Sequence, residues 1–311
     1  MTHQVKQSVE RAEIERSHCH ILSFDVEEYF QVEAAAKSIS HAQWNSLERR
    51  LQPAVELILQ LLNEYNASAT FFVLGWVARH ESKVVNMIAD AGHEIASHGM
   101  RHTMLEKLTP QQFRAELEDT QKMLEDISGQ PVIGFRAPTF SITHRTAWAI
   151  DILSEMGYEY DSSIFPICHD RYGVPDAPGY VHYAIGPSGG KLLEIPPLTV
   201  RLLRRNLPVG GGGYLRILPV RLVIAALNSA EKNGQCGMIY LHPWEFDDAQ
   251  PVLPMSRLSQ WRHRVNLKRT EGKLRKLLEH FKFVSASCLL NTLKVGTGTY
   301  HYGVPSKKAN D

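Results

Sequence analysis

In the stretch SHGMRH, His98 and His102 stand four positions apart across Gly99. Upstream, HILSFDVEEYF ends an apolar run with three acids, Asp25, Glu27 and Glu28. Two imidazoles and one carboxylate hold a divalent cation and leave positions open for water and substrate, which is the pattern of a catalytic zinc rather than a closed structural one. The expected ligands are therefore His98, His102 and one acid of DVEE. A strand alternates its faces, so Asp25 and Glu27 point the same way. That favours Asp25 with Glu27 over Asp25 with Glu28, although a bend at the strand end reverses the choice. Further ionisable groups close other apolar runs: Arg136 in FRAP, Asp161 in YDSS and His242 in YLHP. A cation and an arginine together account for acids at the end of a core strand, because buried charge requires compensation.

These groups need elements to carry them. HILSFDV, SATFFVLG, HEIASH, PVIGFRAP, YEYDSS, KLLEIPP, GMIYLHP and FKFVSA read as strands. Between them the apolar period lengthens to that of a helix. Phe113, Leu117, Thr120, Leu124 and Ile127 form one stripe, started by Thr109-Pro110 and stopped by Gly129. Val84, Val85, Ile88 and Ala91 form a second stripe, ending at Gly92, and a third runs from about 143 through Trp148, Ile152 and Met156 to Gly157. Alternating strands and helices imply a parallel sheet covered by helices, and seven or eight such units can close. The expected fold is α/β, a distorted (β/α)7-8 barrel, with an open doubly wound sheet as the alternative. Ionisable groups then cluster at the carboxyl ends of five strands, the face on which barrels build active sites.

The 311 residues are 43% hydrophobic, enough for a large core, and 34 Lys and Arg balance 33 Asp and Glu. No overall field attracts nucleic acid or an anionic membrane, so any charge effect is local. Cys19, Cys168, Cys236 and Cys288 form no CxxC pair, which argues for free thiols. A polar tail over 1–18 lacks the apolar core of a signal peptide, and no apolar run is long enough to span a membrane. A cytoplasmic protein is expected. A barrel domain is placed at 19–290 and a C-terminal tail at 291–311. Within the domain, a Pro- and Gly-rich insertion at about 165–219 breaks the rhythm, and residues 254–290 form a basic helical part. VGGGG lacks the Lys and Ser or Thr of a phosphate loop, so a flexible or tightly turning loop is expected there. A long insertion of this kind suits covering a substrate.

Taken in order, these motifs resemble the polysaccharide deacetylases of carbohydrate esterase family 4, the NodB-homology fold, over roughly His20 to Ala286. The resemblance implies that Asp25 is the general base and Glu27 the acidic ligand beside His98 and His102. It implies that Arg136 orients the base, that Asp161 tunes the acid, and that Leu241 and His242 form the last motif. Two positions depart from the family pattern: Val26 and Glu27 replace an adjacent aspartate, and Gly99 replaces a Thr or Ser. DVEEYFQVEA, HDRYGVPDAPGY and GGGGYLRILP resemble most a branch found with bacterial exosortase and exopolysaccharide clusters.

The resemblance implies metal-assisted removal of N-acetyl groups from a polysaccharide or its oligosaccharide precursor. Zinc is the expected metal, with cobalt, nickel, manganese or iron also suited to two His and a carboxylate. Asp25 takes a proton from water, and His242, kept protonated by Asp161, gives one to the departing amine. A backbone N–H of Thr139 or Phe140 meets the developing negative charge. Pro138, Thr139, Phe140, Leu241 and Tyr214 are the expected substrate contacts. A metal-independent hydrolase of other C–N bonds, a non-catalytic carbohydrate-binding relative and an O-deacetylase with nearly the same machinery are the competing readings, and no nucleic-acid partner is expected.

Overall fold

The computed structural model describes residues 19–169, 171–203, 205–293 and 297–303, so the expected tail over 1–18 and residues 304–311 lie outside the described residues. The chain runs β1 (Cys19–Val26), α1 (Leu51–Glu64), β2 (Thr70–Val73), α2 (Gly75–His80), α3 (Ser82–Asp90), β3 (Glu94–Ser97), α4 (Pro110–Ser128), β4 (Gly134–Phe135), α5 (Trp148–Glu155) and β5 (Tyr160–Asp161). It continues with β6 (His182–Ile185), β7 (Lys191–Glu194), β8 (Thr199–Leu202), β9 (Arg205–Pro208), α6 (Gly212–Ile217), α7 (Val220–Lys232) and β10 (Met238–Leu241). The last elements are α8 (Arg257–Arg264), α9 (Thr270–His280), β11 (Lys282–Val284), α10 (Ala286–Leu293) and β12 (Thr299–His301).

The main sheet has the order β10-β1-β2-β3-β4-β5-β7-β6-β12, with β11 pairing the lower part of β1. Every pairing from β10 to β7 is parallel. Past β7, the chain returns to β10 through a bridge between Pro197 and Met238 and another between Gly211 and Tyr240. The parallel strands thus curl into the α/β barrel form, with its seam between β7 and β10.

Strand alternation divides the core in two. Leu22, Phe24 and Val26 of β1 pack outward with Phe71, Val73, Ile95 and the helices. Ile21 of β1 packs inward with Phe72, Ala96, Tyr160, Leu193 and Met238, and Ala286 and Leu289 of α10 plug the amino-terminal end. There the buried carboxylate of Glu94 ties three elements together, accepting from Thr70 Oγ1 at 2.7 Å, Tyr160 Oη at 2.8 Å and the Ser287 N–H at 3.0 Å.

The helices end where their capping chemistry stops them. Thr109 accepts from the Gln112 N–H at 3.2 Å, Pro110 occupies the first turn, and Gly129 closes α4 in the left-handed region at φ 67°. The third stripe gives a shorter helix than its period suggested, since α5 starts only at Trp148 after a turn through Thr146. Gly211 answers the glycine run: a Cβ there would lie 1.8 Å from the Tyr240 carbonyl oxygen, so the turn requires the bare backbone. The insertion is more ordered than a loop, contributing β6, β7 and a detached β8–β9 hairpin. Part of the expected C-terminal tail returns as β12 beside β6.

Parallel register sets the strand ends level. Phe24 pairs with Leu241, Val73 with Ser97, Ser97 with Phe135, and Phe135 with Asp161. One residue further on stand Asp25, His242, His98 and Arg136. Gly134, two residues before Arg136, lies against the ring of Tyr160, whose hydroxyl is held by Glu94. A Cβ at position 134 would come 2.1 Å from that ring. Gly134→Ala is expected to destabilise the chain by about 1–3 kcal/mol, the usual cost of overpacking a core. An unchanged midpoint in urea denaturation would show that the ring yields freely.

Candidate metal centre and active site

Glu27, His98 and His102 each offer one ligand atom, and these three atoms lie within 4.8 Å of one another, all buried. Glu27 leaves β1 on the face already taken by Asp25. His98 follows β3, and Gly99 then turns the chain at φ 74°, so that His102, itself at φ 52°, brings its ring back towards His98 with centroids 5.4 Å apart. The bare Gly99 permits this left-handed turn.

Surrounding contacts fix each ligand. His98 Nδ1 lies 2.8 Å from the Arg136 carbonyl oxygen, so it donates there and its Nε2 keeps a lone pair. Burial chiefly lowers the pKa of this ring to about 4, so it stays neutral at ordinary pH. Trp244 Nε1 donates to Glu27 Oε1 at 3.0 Å. Glu27 Oε2 lies 2.8 Å from His102 Nε2, yet this buried oxygen accepts no hydrogen bond of proper geometry. Burial opposes charge on Glu27, but His102, His242 and His98 outweigh it and hold the carboxyl well below the usual range. A buried carboxylate oxygen without a donor, next to a neutral imidazole lone pair, suits a divalent cation in kind and in number of donors. Glu28 turns the other way, accepting the Arg50 and Leu51 N–H groups at 2.7 and 3.1 Å at the start of α1.

Asp25 faces the same centre. Its Oδ1 accepts from Arg136 Nη1 at 2.6 Å, and its Oδ2 lies 3.8 Å from His242 Nε2. Arg136 is completely buried, binding Ser23 Oγ at 3.0 Å, the Ser162 carbonyl at 3.1 Å and Ser162 Oγ at 2.8 Å, with the Phe72 ring 4.1 Å away.

His242 has a different acidic partner from the one expected. Its Nδ1 lies 2.7 Å from Glu245 Oε1, and its backbone N–H donates to the same oxygen at 3.1 Å. Asp161 instead pairs with Glu194 across the β5–β7 register and accepts from Ser163 Oγ. Asp161 and His242 form no ion pair among the described residues, because β5 aims this carboxyl at β7. Glu245 is clamped from behind by Arg216 Nε at 2.7 Å, and Arg216 donates on to the carbonyls of His263 and Val265 at 2.8 and 3.0 Å. Burial opposes a charged His242, but Glu245, Glu27 and Asp25 prevail and raise its pKa to about 9. The ring also stacks on Trp244, which stacks on His263, with centroids 5.1 and 4.3 Å apart.

The expected substrate contacts divide. Pro138, Thr139 and Phe140 form a turn directly after Arg136, with Thr139 and Phe140 at φ 58° and 51°. The Phe140 N–H donates to the Ala137 carbonyl at 3.0 Å, which leaves Thr139 as the candidate donor towards substrate. Leu241 is a correction: its side chain is fully buried in the outer core beside Phe24, so it contacts no substrate. Tyr214, half-buried on α6, lies near Tyr172, Tyr240 and Arg262. Sequence reasoning missed Glu245, Trp244, Arg216 and His263. The signal for Glu245 was its place three residues after His242, the capping-box position of a turn that opens on His242-Pro243.

Residues 33–160 match the family described as Polysaccharide deacetylase, and residues 162–291 match a domain of unknown function, DUF3473. The peptidoglycan deacetylase of Helicobacter pylori is 30% identical over 34% of this chain and 36% of its own length. The chitooligosaccharide deacetylase of Rhizobium leguminosarum bv. phaseoli is 31% identical over 30% of this chain and 47% of its own. The chain thus spans less than half the length of these curated relatives. Among solved structures, a Mycobacterium smegmatis protein assigned as a polysaccharide deacetylase superposes with a TM-score of 0.59 at 19% identity, covering 89% of this chain and 91% of that one, a likeness of fold. The polysaccharide deacetylase match, over residues 33–160 of the 311, takes in His98, His102 and Arg136, so that segment is similar to the family around one centre.

Proposed function

We propose that this protein is a metal-dependent hydrolase that removes N-acetyl groups from a polysaccharide or its oligosaccharide precursor. The observation that carries the reading is the meeting of the Glu27, His98 and His102 ligand atoms beside a buried Asp25–Arg136 pair, with His242 on the far side. Glu27, His98 and His102 would hold the ion, zinc being the default for this donor set. When bound, the cation supplies Lewis acidity to an amide carbonyl and to water. The peptidoglycan and chitooligosaccharide deacetylases among the relatives support an acetylated glycan as substrate. The resemblance of the DVEEYFQVEA and GGGGYLRILP stretches to the exosortase-associated branch supports an exopolysaccharide.

Asp25 accepts the proton of the attacking water, and Arg136 aims its carboxylate. The Thr139 N–H stands where it can meet negative charge developing on the carbonyl oxygen. His242 hands its Nε2 proton to the departing amine, while Glu245, held by Arg216, fixes the ring's tautomer and its charge. Acetate released from acetylated oligosaccharides, measured before and after chelation, tests the whole reading. Release is expected to stop on chelation and to return with added zinc, whereas undiminished release would refute metal dependence.

His242→Ala is expected to keep the bound metal by elemental analysis while turnover falls about 10²- to 10⁴-fold, the usual weight of general acid catalysis. The imidazolium persists below its pKa of about 9, so the proton donor is lost as pH rises through that value. Glu245→Gln removes a charge that raises this pKa and should therefore move the alkaline limb of the turnover profile to lower pH. A profile that stays in place would remove Glu245 from its role.

A further inference from the structure

The β8–β9 hairpin stands apart from the main sheet and is apolar on its outer side. Its register pairs Val200 with Leu207 and Leu202 with Arg205, so these four share one face, while Arg201 pairs with Asn206 on the other. Asn206 Nδ2 donates to the Pro166 carbonyl at 2.8 Å, which turns the second face towards the body of the protein. The first face therefore looks outward, with Leu202 55% and Leu207 44% exposed, and Leu203 at the tip is 89% exposed. An outward apolar sheet face is a liability unless something covers it.

Charge selects the cover. From 195 to 230 the sequence has five arginines, at 201, 204, 205, 216 and 221, and no acidic residue. Arg216 serves Glu245, but Arg201, Arg205 and Arg221 are exposed and form no ion pair among the described residues. Leu222, 53% exposed, lies one helical turn before Ala226, which lines the roughly 580 Å³ cleft shared with Val200 and Arg201. Exposed Leu and Val flanked by unpaired Arg is the chemistry of a surface that enters the headgroup layer of an anionic bilayer. Among the described residues no helix is long and apolar enough to cross a membrane, so contact of this kind is peripheral.

We propose that the β8–β9 hairpin, through Leu202, Leu203 and Leu207 with Arg205, docks this protein on an anionic lipid surface. Past β9 the chain reaches Gly211, which is bridged to Tyr240 of β10.

The test is sedimentation of the full chain with vesicles of phosphatidylcholine alone and of phosphatidylcholine mixed with phosphatidylserine. Binding only to the mixed vesicles, weakened by salt, is expected. The double variant Leu202→Glu with Leu203→Glu should lower that binding at least about tenfold, and Arg205→Ser about fivefold, each with an unchanged thermal midpoint. No binding to either vesicle, equal binding to both, or variants that bind like the parent would overturn the proposal. So would light scattering that shows a dimer which the leucine variant splits, since the face then belongs to a second copy.

Discussion

A guanidinium sealed inside the barrel organises everything around it. Arg136 has no exposure to water, and a cation in that position is tolerated only when its donors are matched. Asp25 takes one, and Ser23 and Ser162 take most of the rest. The same residue's carbonyl orients His98. One buried side chain and its own backbone thereby align Asp25 and His98. Because Ser23 sits on β1 and Ser162 follows β5, the same contacts hold strands across the barrel interior at a fixed spacing.

From Arg136 the charges alternate across the centre. Arg136 meets Asp25, Asp25 faces His242, His242 meets Glu245, and Glu245 meets Arg216, at 2.6, 3.8, 2.7 and 2.7 Å. Each buried acid in this row lies between two cations, which explains how so much charge survives away from solvent. The row also joins the two matched segments, since Arg136 lies in the first and His242, Glu245 and Arg216 lie in the second. The centre is whole only when both segments are folded together with β1, which precedes them and carries Asp25, and Trp244 of the second segment reaches Glu27 just past β1.

Much of the rim was legible because strands report themselves by period and by where apolar runs end. Alternation alone placed Asp25 and Glu27 on one face, and the type and spacing of His98 and His102 marked them as a pair. Partnership between strands was less readable. Asp161 ends its strand as expected, but which neighbour its carboxyl meets depends on register with β7, and that pairing is long-range. Glu245 and Trp244 sit in a short turn whose composition speaks of capping, and Arg216 lies on a six-residue helix with little period to read. Within the insertion, strands of four residues among Pro and Gly left no alternation long enough to separate them from loop.

Glu27, His98 and His102 hang from strand ends and tight turns of the main sheet, whereas β8 and β9 belong to a separate two-stranded sheet tied to the body through Asn206. That division makes the hairpin an interchangeable collar. Evolution can lengthen, recolour or prune it to suit a new location or a new polymer while the machinery beneath keeps its spacing, because none of the groups that would grip the cation is borrowed from it.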